Sequence, residues 1–505
     1  MTYRHESFWI DSIEGNRYPR AGGLLSVDVA IVGGGMVGLT AAILLKSAGK
    51  SVAVIEAGRV GAGVSGHTTA KITAGHGIIY SLISEQLGEE AARIYGQSNQ
   101  AGLERIAALI AELNIDCDFE RTDNYVYSES PDDIRSIEQE TEAARKAGLP
   151  ASFTTKSTLP FPIAGAVKLT NQAQFHPRKY FVALAEQIPG DGSFVFENSR
   201  VLDLKEGQPC VVSTEEATIS ADKVILSTHF PTFDRGLFFA KVHPMRAYVV
   251  TAKIAADKAP DGMWISSSPP TRSVRTTPYE DGRLLIVTGE GHKVGQEPNP
   301  EGRYEALEEW AQSRFDIESL EYRWSTQDNV SVDHVPYIGR LTHGSEHAFT
   351  ATGFAGWGMT NGTVAAILMS DLVLGVPNEW ADLYDAKRLN PSAAAKEFIK
   401  ENTNVAMRFF TDRLKSLATS IETIEPGEGD VVTVGPKSVA VHKDESGNLL
   451  ALSARCTHLG CIVQWNGAEK SWDCPCHGSR FTTSGEVLQG PATKPLGPID
   501  LTSDS

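Results

Sequence analysis

The sequence lacks an excess of basic residues. It contains 46 Lys and Arg against 63 Asp and Glu, which gives a formal net charge of -17 at pH 7. Binding to nucleic acid or to an anionic membrane surface relies on clustered positive charge, so this balance argues against both. The expected partners are a small-molecule substrate and other proteins.

Long apolar runs are also missing. Residues 363–376 form the most apolar stretch, but Ser370 and Asp371 interrupt it and it is too short to cross a bilayer. Residues 1–20 carry charges throughout and contain no apolar stretch of about 7 to 15 residues, which a signal peptide needs. The sequence therefore predicts a cytoplasmic protein without a membrane span.

Cysteine is scarce but clustered. Two of the six cysteines, Cys117 and Cys210, stand alone. The other four lie close together near the end of the chain, and they are Cys456, Cys461, Cys474 and Cys476. In a reducing compartment such a cluster indicates a metal site before a disulfide scaffold.

A glycine-rich turn near the N-terminus has the spacing of a dinucleotide site. Gly33, Gly35 and Gly38 follow an apolar strand pattern at residues 27–32 and open a helical stretch at residues 36–48. These glycines permit a tight turn, close approach of a pyrophosphate and close helix packing, and the helix N-terminus stabilises the phosphate charge. Glu56, at the end of the next strand, would bind ribose hydroxyls. The alternative interpretation is a tight turn that binds no ligand.

The nucleotide could be NAD or FAD on this motif alone. The Gly/Ser/Thr-rich loop at residues 61–71 is longer than a nicotinamide site needs, and no second G-x-G-x-x-G is present for a separate NAD(P)H, so FAD is favoured. At these residues the sequence resembles the glycine/D-amino-acid oxidase family of FAD enzymes, over about residues 7–375. Further matching pieces are the strand at 221–228, the segment DHVPYIG at 333–339 and the turn ATGFAGWGMT at 351–360.

The resemblance implies roles for particular residues. Ser65 and Thr69 would belong to the FAD-binding loop, and the backbone of Val201 would contact the adenine end. The late turn would lie along the isoalloxazine ring through four residues, which are Gly353, Gly358, Met359 and Thr360. Covalent attachment of the flavin, for which His67 and His76 are conceivable, stays open.

Two cations are the candidate catalytic residues. Lys71 stands where relatives place a positive charge near the flavin, which would stabilise negative charge on the reduced ring; the alternative is a solvated surface lysine. Arg275 is the candidate for clamping a substrate carboxylate, because a guanidinium pairs with it bidentately. Arg246, Arg272 and Arg323 are further candidates, and each of the four could instead form a surface ion pair.

The cysteine cluster includes a C-x-H and a C-x-x-H pair. Cys456, His458, Cys474 and His477 match a Rieske centre, in which two thiolates hold one iron and two neutral imidazoles hold the other. The competing interpretation is a Cys₂His₂ zinc site. The extra cysteines and the Pro/Gly content of both loops favour the [2Fe-2S] cluster.

Residues 423–505 resemble the Rieske proteins of quinol-oxidising complexes. That resemblance implies a disulfide between Cys461 and Cys476, although both could stay reduced as small buried residues. It also implies that residues 490–492 cover the cluster and that the Ser479 hydroxyl bonds a cluster sulfur. Phe481 stands where the highest-potential members have tyrosine. The expected potential therefore lies below the top of the range of about -150 to +300 mV.

These patterns predict an α/β FAD-binding Rossmann-like domain with an interleaved α+β substrate domain, followed by an all-β Rieske domain. The oxidoreductase unit is expected at residues 1–385, with FAD-binding segments at about 25–110, 165–240 and 325–380 and substrate-domain segments at about 111–164 and 241–324. A helical linker is expected at 386–422 and the Rieske domain at 423–505.

The predicted function is that of an FAD-dependent oxidoreductase. Hydride from a small amine, amino acid or related substrate would pass to FAD, and the electrons would leave singly through the cluster to a redox protein or other acceptor docking on its histidine side. One alternative reverses the flow, from a redox partner through the cluster to FAD. Another is a redox-sensing flavoprotein that does not turn over.

Overall fold

The computed structural model describes residues 3–388, 399, 402–405 and 420–501. The predicted helical linker at 386–422 lies for the most part outside these residues. The helices are α1 Phe8–Ser12, α2 Met36–Ser47, α3 Tyr80–Leu87, α4 Glu89–Glu112, α5 Ile134–Lys146, α6 Pro177–Glu186, α7 Pro300–Arg314, α8 Gly358–Leu374 and α9 Ala381–Tyr384.

The strands fall into three groups along the chain. The first ten are β1 Gly23–Val32, β2 Val52–Ile55, β3 Lys71–Ile72, β4 Glu120–Ser128, β5 Ala151–Thr154, β6 Gly165–Gln174, β7 Phe194–Phe196, β8 Asp203–Lys205, β9 Cys210–Ser213 and β10 Ala217–Leu226. The next seven are β11 Val242–Ile254, β12 Met263–Ser266, β13 Ser273–Tyr279, β14 Gly282–Lys293, β15 Ser319–Ser331, β16 Tyr337–Arg340 and β17 Ala348–Thr352. The C-terminal ones are β18 Gly429–Val434, β19 Lys437–Lys443, β20 Leu449–Ser453, β21 Gln464–Asn466, β22 Ser471–Asp473, β23 Arg480–Thr482 and β24 Val487–Gln489.

The first sheet, called here the nucleotide sheet, has a parallel centre. Its order is β16-β17-β10-β1-β2-β7, and β1 pairs in parallel with both β2 and β10. All four residues of β2 are buried, as expected of a central parallel strand covered on both faces. The predicted Rossmann-like α/β domain is confirmed, and β1, α2 and β2 occupy nearly the predicted ranges.

Helix α2 is apolar on nearly all sides because it is packed between the nucleotide sheet and α8. A Cβ atom on Gly362 of α8 would lie 3.2 Å from Met36 Cγ, and one on Gly102 of α4 would lie 3.0 Å from the Thr360 carbonyl oxygen. Glycine at these two positions lets the helices approach closely. This packing fixes the N-terminus of α2 and that of α8 on the same side of the sheet.

The second sheet forms the interleaved domain. Its order is β15-β11-β14-β13-β12-β4-β6-β3, and β5 pairs with β6. Strand β6, expected with the FAD-binding segments, instead pairs antiparallel with β4, and its Ala166, Val167 and Leu169 are buried. Strand β15 also extends past the predicted boundary at residue 325. These boundaries were wrong because an apolar strand pattern does not specify which sheet it joins.

Within the residues described from 420 onward, the C-terminal domain is built of strands and turns apart from one 3-10 turn at Ile421–Thr423. One sheet has the order β18-β19-β20 and the other β21-β22-β23-β24. The predicted all-β domain is confirmed. Among the described residues, no helix combines the length and the apolar character that a membrane span requires.

Candidate functional site

The glycine turn between β1 and α2 has the geometry of a nucleotide cradle. Gly33 has a φ of 109°, in the region that favours glycine. A Cβ atom on Gly38 would lie 2.0 Å from the Gly33 carbonyl oxygen, and one on Gly35 would lie 2.8 Å from Ser65 Oγ. Only glycine therefore fits at these positions. The turn and the N-terminus of α2 remain open to a phosphate.

Glu56 is held beside this turn. Its Oε2 accepts a hydrogen bond from the Gly34 amide at 2.7 Å, and its Oε1 accepts one from the Gly58 amide at 2.8 Å. Burial raises the pKa of Glu56, although both amides lower it. Val201 lines the same cavity as Glu56. The carboxylate is therefore fixed where it can accept hydrogen bonds from ribose hydroxyls.

A cavity of about 1190 Å³ connects the turn with the second sheet. Pockets for small ligands usually measure about 300 to 1,000 Å³, so this one can hold an extended dinucleotide and a substrate. Its wall contains most of the predicted cofactor residues, which are Gly33, Gly35, Glu56, Ser65, Thr69, Val201, Gly358 and Met359. The residues present therefore fit FAD.

Three predicted cofactor residues stand behind this wall. Gly38 supports the turn from inside the helix packing described above. Gly353 has a φ of 84°, and a Cβ atom on it would lie 3.2 Å from Ser331 Cβ. The Thr360 hydroxyl donates to the Thr73 carbonyl oxygen at 3.0 Å. Gly353 and Thr360 support the late turn from outside the cavity. Their positions therefore do not provide a direct contact with the isoalloxazine ring.

Lys71 is buried in the cavity wall. Its side chain is 8% exposed, and Nζ donates to Ser273 Oγ at 2.6 Å. The alternative of a solvated surface lysine is therefore wrong. Burial, together with the charge of Arg275, lowers the pKa of Lys71 to about 7. The group can change its charge near neutral pH.

We expect Lys71→Met to lower the flavin midpoint potential by on the order of 50 mV, or about 2 kcal/mol over two electrons. The reason is that protonated Lys71 favours the negative charge of the reduced ring. Because the folded-state pKa is about 7, the difference from the wild type should be full below pH 7 and shrink as the pH rises through 7. Redox titration at several pH values measures this. The exposed Lys146→Met serves as the control, and a pH-independent difference would contradict the role.

Arg275 has a different position from the one predicted. It is 1% exposed and absent from the cavity wall. Its Nη1 donates to the carbonyl oxygens of Thr69 at 3.1 Å and Ala70 at 2.9 Å. All of these contacts bind the loop that carries Lys71. Arg275 is thus placed to support the flavin loop, and the predicted clamp on a substrate carboxylate has no basis in its position.

Of the four arginines considered for the substrate carboxylate, Arg246 of β11 is the one that lines the cavity. Arg272 is paired with Glu290 and Arg323 with Glu301, both away from the cavity wall. Arg246 lines the cavity and is 1% exposed. Its Nε and Nη1 are buried and have no hydrogen-bond partner. The charges of Glu469 and Asp473 act on this guanidinium, but buried N–H groups left without hydrogen bonds are costly, so an anion that accepts from them would be favoured.

The four predicted cluster ligands converge in the C-terminal domain. Cys456 and His458 lie between β20 and β21, and Cys474 and His477 lie between β22 and β23. The thiol of Cys456 is within hydrogen-bond reach of Cys474, and the two imidazole centroids are 5.0 Å apart. Each loop thus contributes one cysteine and one histidine, with the two cysteines next to each other and the two imidazoles next to each other.

The imidazoles have the state that iron ligation requires. Burial lowers the pKa of His458 to about 4, and burial together with His458 lowers that of His477 to about 3. Both are neutral at physiological pH. His458 Nδ1 is buried without a hydrogen-bond partner, as expected of an atom reserved for a metal. The donor set therefore fits a [2Fe-2S] cluster.

A disulfide joins the two ligand loops. It links Cys461 to Cys476, whose Cα atoms are 6.5 Å apart. The implied pairing is thus present in the structure. Cys117 and Cys210 are free and buried.

The third loop of the cluster region closes over the ligands. The Ala492 amide donates to Ser479 Oγ at 3.0 Å, and Ser479 is fully buried. Phe481 is also fully buried, in the core that includes Cys456 and Cys474.

Phe481→Tyr should raise the midpoint potential of the cluster. A hydroxyl that donates to a cluster-side sulfur stabilises the reduced, more negative state; about 1 kcal/mol corresponds to on the order of 40 mV for one electron. Potentiometry followed by electron paramagnetic resonance (EPR) measures the shift. A fall in potential, or no change, would count against the expected position of this side chain.

The cluster loops are turned toward the oxidoreductase unit. The ring of His477 packs against Phe239 with centroids 5.6 Å apart, and that of His458 packs against Phe230 at 6.2 Å. Gln327 Nε2 donates to the Gly478 carbonyl oxygen at 2.8 Å. His477 is 5% exposed. The expectation that an external acceptor docks on the histidine side is therefore wrong for His477 in this arrangement.

His229, Gln489 and Glu469 are among the residues of the cavity wall that sequence reasoning missed. His229 follows β10, and its Nδ1 is 3.2 Å from Gln489 Nε2 of the C-terminal domain. A polar residue just after the carboxyl end of a parallel strand is a known signal for a ligand site and could have identified His229. Gln489 and Glu469 carry no such signal, since they reach the cavity only through packing between the two units.

Comparison with known proteins assigns both units. The model of the family "FAD dependent oxidoreductase" matches residues 28–372, and that of the "Rieske [2Fe-2S] domain" matches residues 416–500. The chain is 38% identical over 498 residues to the Bacillus subtilis protein YhfW, which is described as a Rieske 2Fe-2S iron-sulfur protein, covering 98% of each chain.

Two further relatives match the first unit. Gamma-glutamylputrescine oxidoreductase of Escherichia coli is 26% identical over 372 residues, which cover 70% of this chain and 84% of that protein. The crystal structure of glycine oxidase from Geobacillus kaustophilus has a TM-score of 0.59 at 21% identity, and the match covers 72% of this chain and 99% of that one. The fold of the first unit is thus that of the glycine oxidase structure.

Proposed function

The chain belongs to the family of FAD-dependent oxidoreductases and carries a Rieske [2Fe-2S] domain, and from this premise we propose that it is a dehydrogenase of a small amine or amino acid. Its electrons leave through the Rieske centre to an external one-electron acceptor. FAD and the [2Fe-2S] cluster are the cofactors. Gamma-glutamylputrescine oxidoreductase, a relative that acts on an amine by its name, supports this substrate class.

The observation that carries the proposal is the shared wall of the two sites. Gly490 and Ala492 of the loop that covers the cluster line the same cavity as Gly33 and Lys71. The ligand histidines pack on Phe230 and Phe239 of the oxidoreductase unit. The two redox sites are therefore neighbours in one chain, which favours direct exchange of electrons between them.

When bound, FAD would supply acceptance of two electrons as hydride from a carbon next to nitrogen, and the Rieske cluster held by Cys456, His458, Cys474 and His477 would supply one-electron transfer. An amine that loses this hydride and a proton becomes an imine, and two one-electron acceptor molecules take up the pair. Lys71 provides positive charge beside the ring, and Arg275 holds the loop that carries Lys71.

Arg246 is the residue proposed to bind substrate. Its Nε and Nη1 are buried without a hydrogen-bond partner, and the guanidinium lines the cavity, where it could bind a carboxylate. This contact would place an amino acid or an N-substituted one within the cavity. A simple monoamine would leave Nε and Nη1 of Arg246 without a hydrogen-bond partner.

Anaerobic titration tests the direction of flow. A substrate found by screening amines and amino acids should bleach the flavin first and the cluster second, as followed by visible absorption and EPR. Bleaching of the flavin by a reduced redox protein, with the cluster reduced first, would instead favour the reverse flow. Absence of turnover with any donor in a holoprotein would favour the redox sensor.

A cytoplasmic location and a redox-protein partner remain predictions from the sequence. The acceptor would have to approach a face other than that of His477. Leu459, which follows the ligand His458, is 49% exposed. It marks the part of the ligand loops that an acceptor could still reach.

A further inference from the structure

The Rieske domain forms part of the wall of the substrate cavity. Glu469, in the turn between β21 and β22, and Arg480 of β23 line the cavity together with Arg246 and Ser273 of the second sheet. The Rieske domain therefore contributes charged side chains to the space in which substrate would bind. A domain that served only to carry electrons would not need them there.

Glu469 has spare hydrogen-bonding capacity in this wall. Its Oε1 accepts a hydrogen bond from the Tyr304 hydroxyl at 2.7 Å. Its Oε2 is 3.7 Å from Arg480 Nη2 and accepts no hydrogen bond from the described residues. The side chain is 17% exposed, and it borders the cavity.

The carboxylate is charged at neutral pH. Burial alone would raise its pKa, but the charges of Arg246 and Arg480 and the Tyr304 hydroxyl hold the pKa of Glu469 at about 2. Arg480 is already engaged, because its Nε donates to Asp473 at 2.9 Å and its Nη2 donates to Ser471 Oγ at 2.9 Å. Two charged groups at this end of the cavity therefore have hydrogen-bonding atoms without a partner among the described residues, which are Nε and Nη1 of Arg246 and Oε2 of Glu469.

We propose that Glu469 of the Rieske domain is a specificity-determining residue that binds a cationic nitrogen of the substrate, while Arg246 binds its carboxylate. This inference rests on the proposed function, because it requires that the cavity binds the substrate. A ligand with both charges completes both groups at once, whereas a plain carboxylate leaves Glu469 beside a second negative charge. The cavity would therefore reject a plain carboxylate through its repulsion by Glu469 as much as it would select a ligand with both charges through the attraction between Glu469 and the cationic nitrogen.

The same contacts allow a structural role, in which Glu469 only fastens the two units through Tyr304. The two roles use different oxygens and can be separated. Glu469→Gln removes the charge but keeps an oxygen that can accept from Tyr304. Tyr304→Phe removes the fastening hydrogen bond but keeps the carboxylate.

The experiment uses a matched pair of inert ligands on the purified holoprotein. Glycine betaine carries a carboxylate and a quaternary nitrogen, and 3,3-dimethylbutyrate has the same shape without the positive charge. Dissociation constants are measured by equilibrium dialysis and by the change in the flavin spectrum, so the result does not depend on turnover. The wild type should bind glycine betaine about ten-fold or more tightly than 3,3-dimethylbutyrate.

Glu469→Gln should bring the two affinities together while the EPR spectrum of the cluster stays as in the wild type. Tyr304→Phe should keep most of the preference, and Arg246→Met should weaken both ligands. A preference that survives in Glu469→Gln, its equal loss in Tyr304→Phe, or failure of the wild type to bind either ligand would overturn the proposal. If the protein showed this binding preference but no dehydrogenase activity, the proposed function would fail while the binding role of Glu469 would stand. The two hypotheses can therefore be told apart.

Discussion

Replacing Cys474 with serine should remove the cluster while leaving the flavin in place. A serine hydroxyl does not replace a thiolate as a ligand to iron, so iron in the purified protein should fall to background. Substrate should still bleach the flavin, because the cradle of Gly33 and Glu56 is built on other elements. Transfer to cytochrome c, which is too large to enter the cavity, should slow by about 100-fold or more, because the one-electron route has been lost.

The buried free cysteine Cys210 offers a matched control. Cys210→Ser makes the same chemical change outside the cluster region and should retain iron and cytochrome c reduction. Thermal unfolding of both variants reports any general loss of stability. Cytochrome c reduction at the wild-type rate in an iron-free Cys474→Ser protein would show that the electrons do not leave through the cluster.

Arg246→Met should lower the second-order rate constant for flavin reduction by substrate by about 100-fold, or about 3 kcal/mol. Methionine fills much of the volume of the arginine stem but cannot pair with a carboxylate. The effect should appear mainly in the dissociation constant of the substrate and should be small for an amine without a carboxylate. Stopped-flow bleaching under anaerobic conditions separates binding from the chemical step.

Arg272→Met is the control for Arg246. Arg272 is also largely buried, but it is paired with Glu290 and lies outside the cavity wall. Its replacement should reduce stability without changing substrate affinity. An equal loss of substrate affinity in both variants would indicate a general effect of removing a buried guanidinium. A normal rate in Arg246→Met would remove this residue from the substrate site.

The local motifs could be predicted because their geometry is encoded within a few neighbouring residues. Gly33, Gly35 and Gly38 specify a turn that no other residue fits, and the C-x-H and C-x-x-H pairs place their donors within single loops. Lys71 was identified as a cation of the flavin loop, but its burial and its lowered pKa depend on Ser273 and Arg275, which come from another part of the chain.

The choice among four arginines could not be made from sequence. Arg246 and Arg275 both lie within strands. The structure shows that one lines the cavity and the other binds backbone carbonyls behind it. The alternation of a strand gives the face of a side chain, yet it does not give what lies opposite that face.

By itself the sequence determined the two cofactor motifs, the all-β C-terminal domain and the parallel nucleotide sheet, because strand period, turn residues and ligand spacing are local properties. Only the tertiary structure decided that the Rieske domain packs on the oxidoreductase unit with its histidines inward, and that Glu469 meets Arg246 in one cavity. Contacts between residues so distant along the chain arise from the packing of whole surfaces, and no short pattern records them.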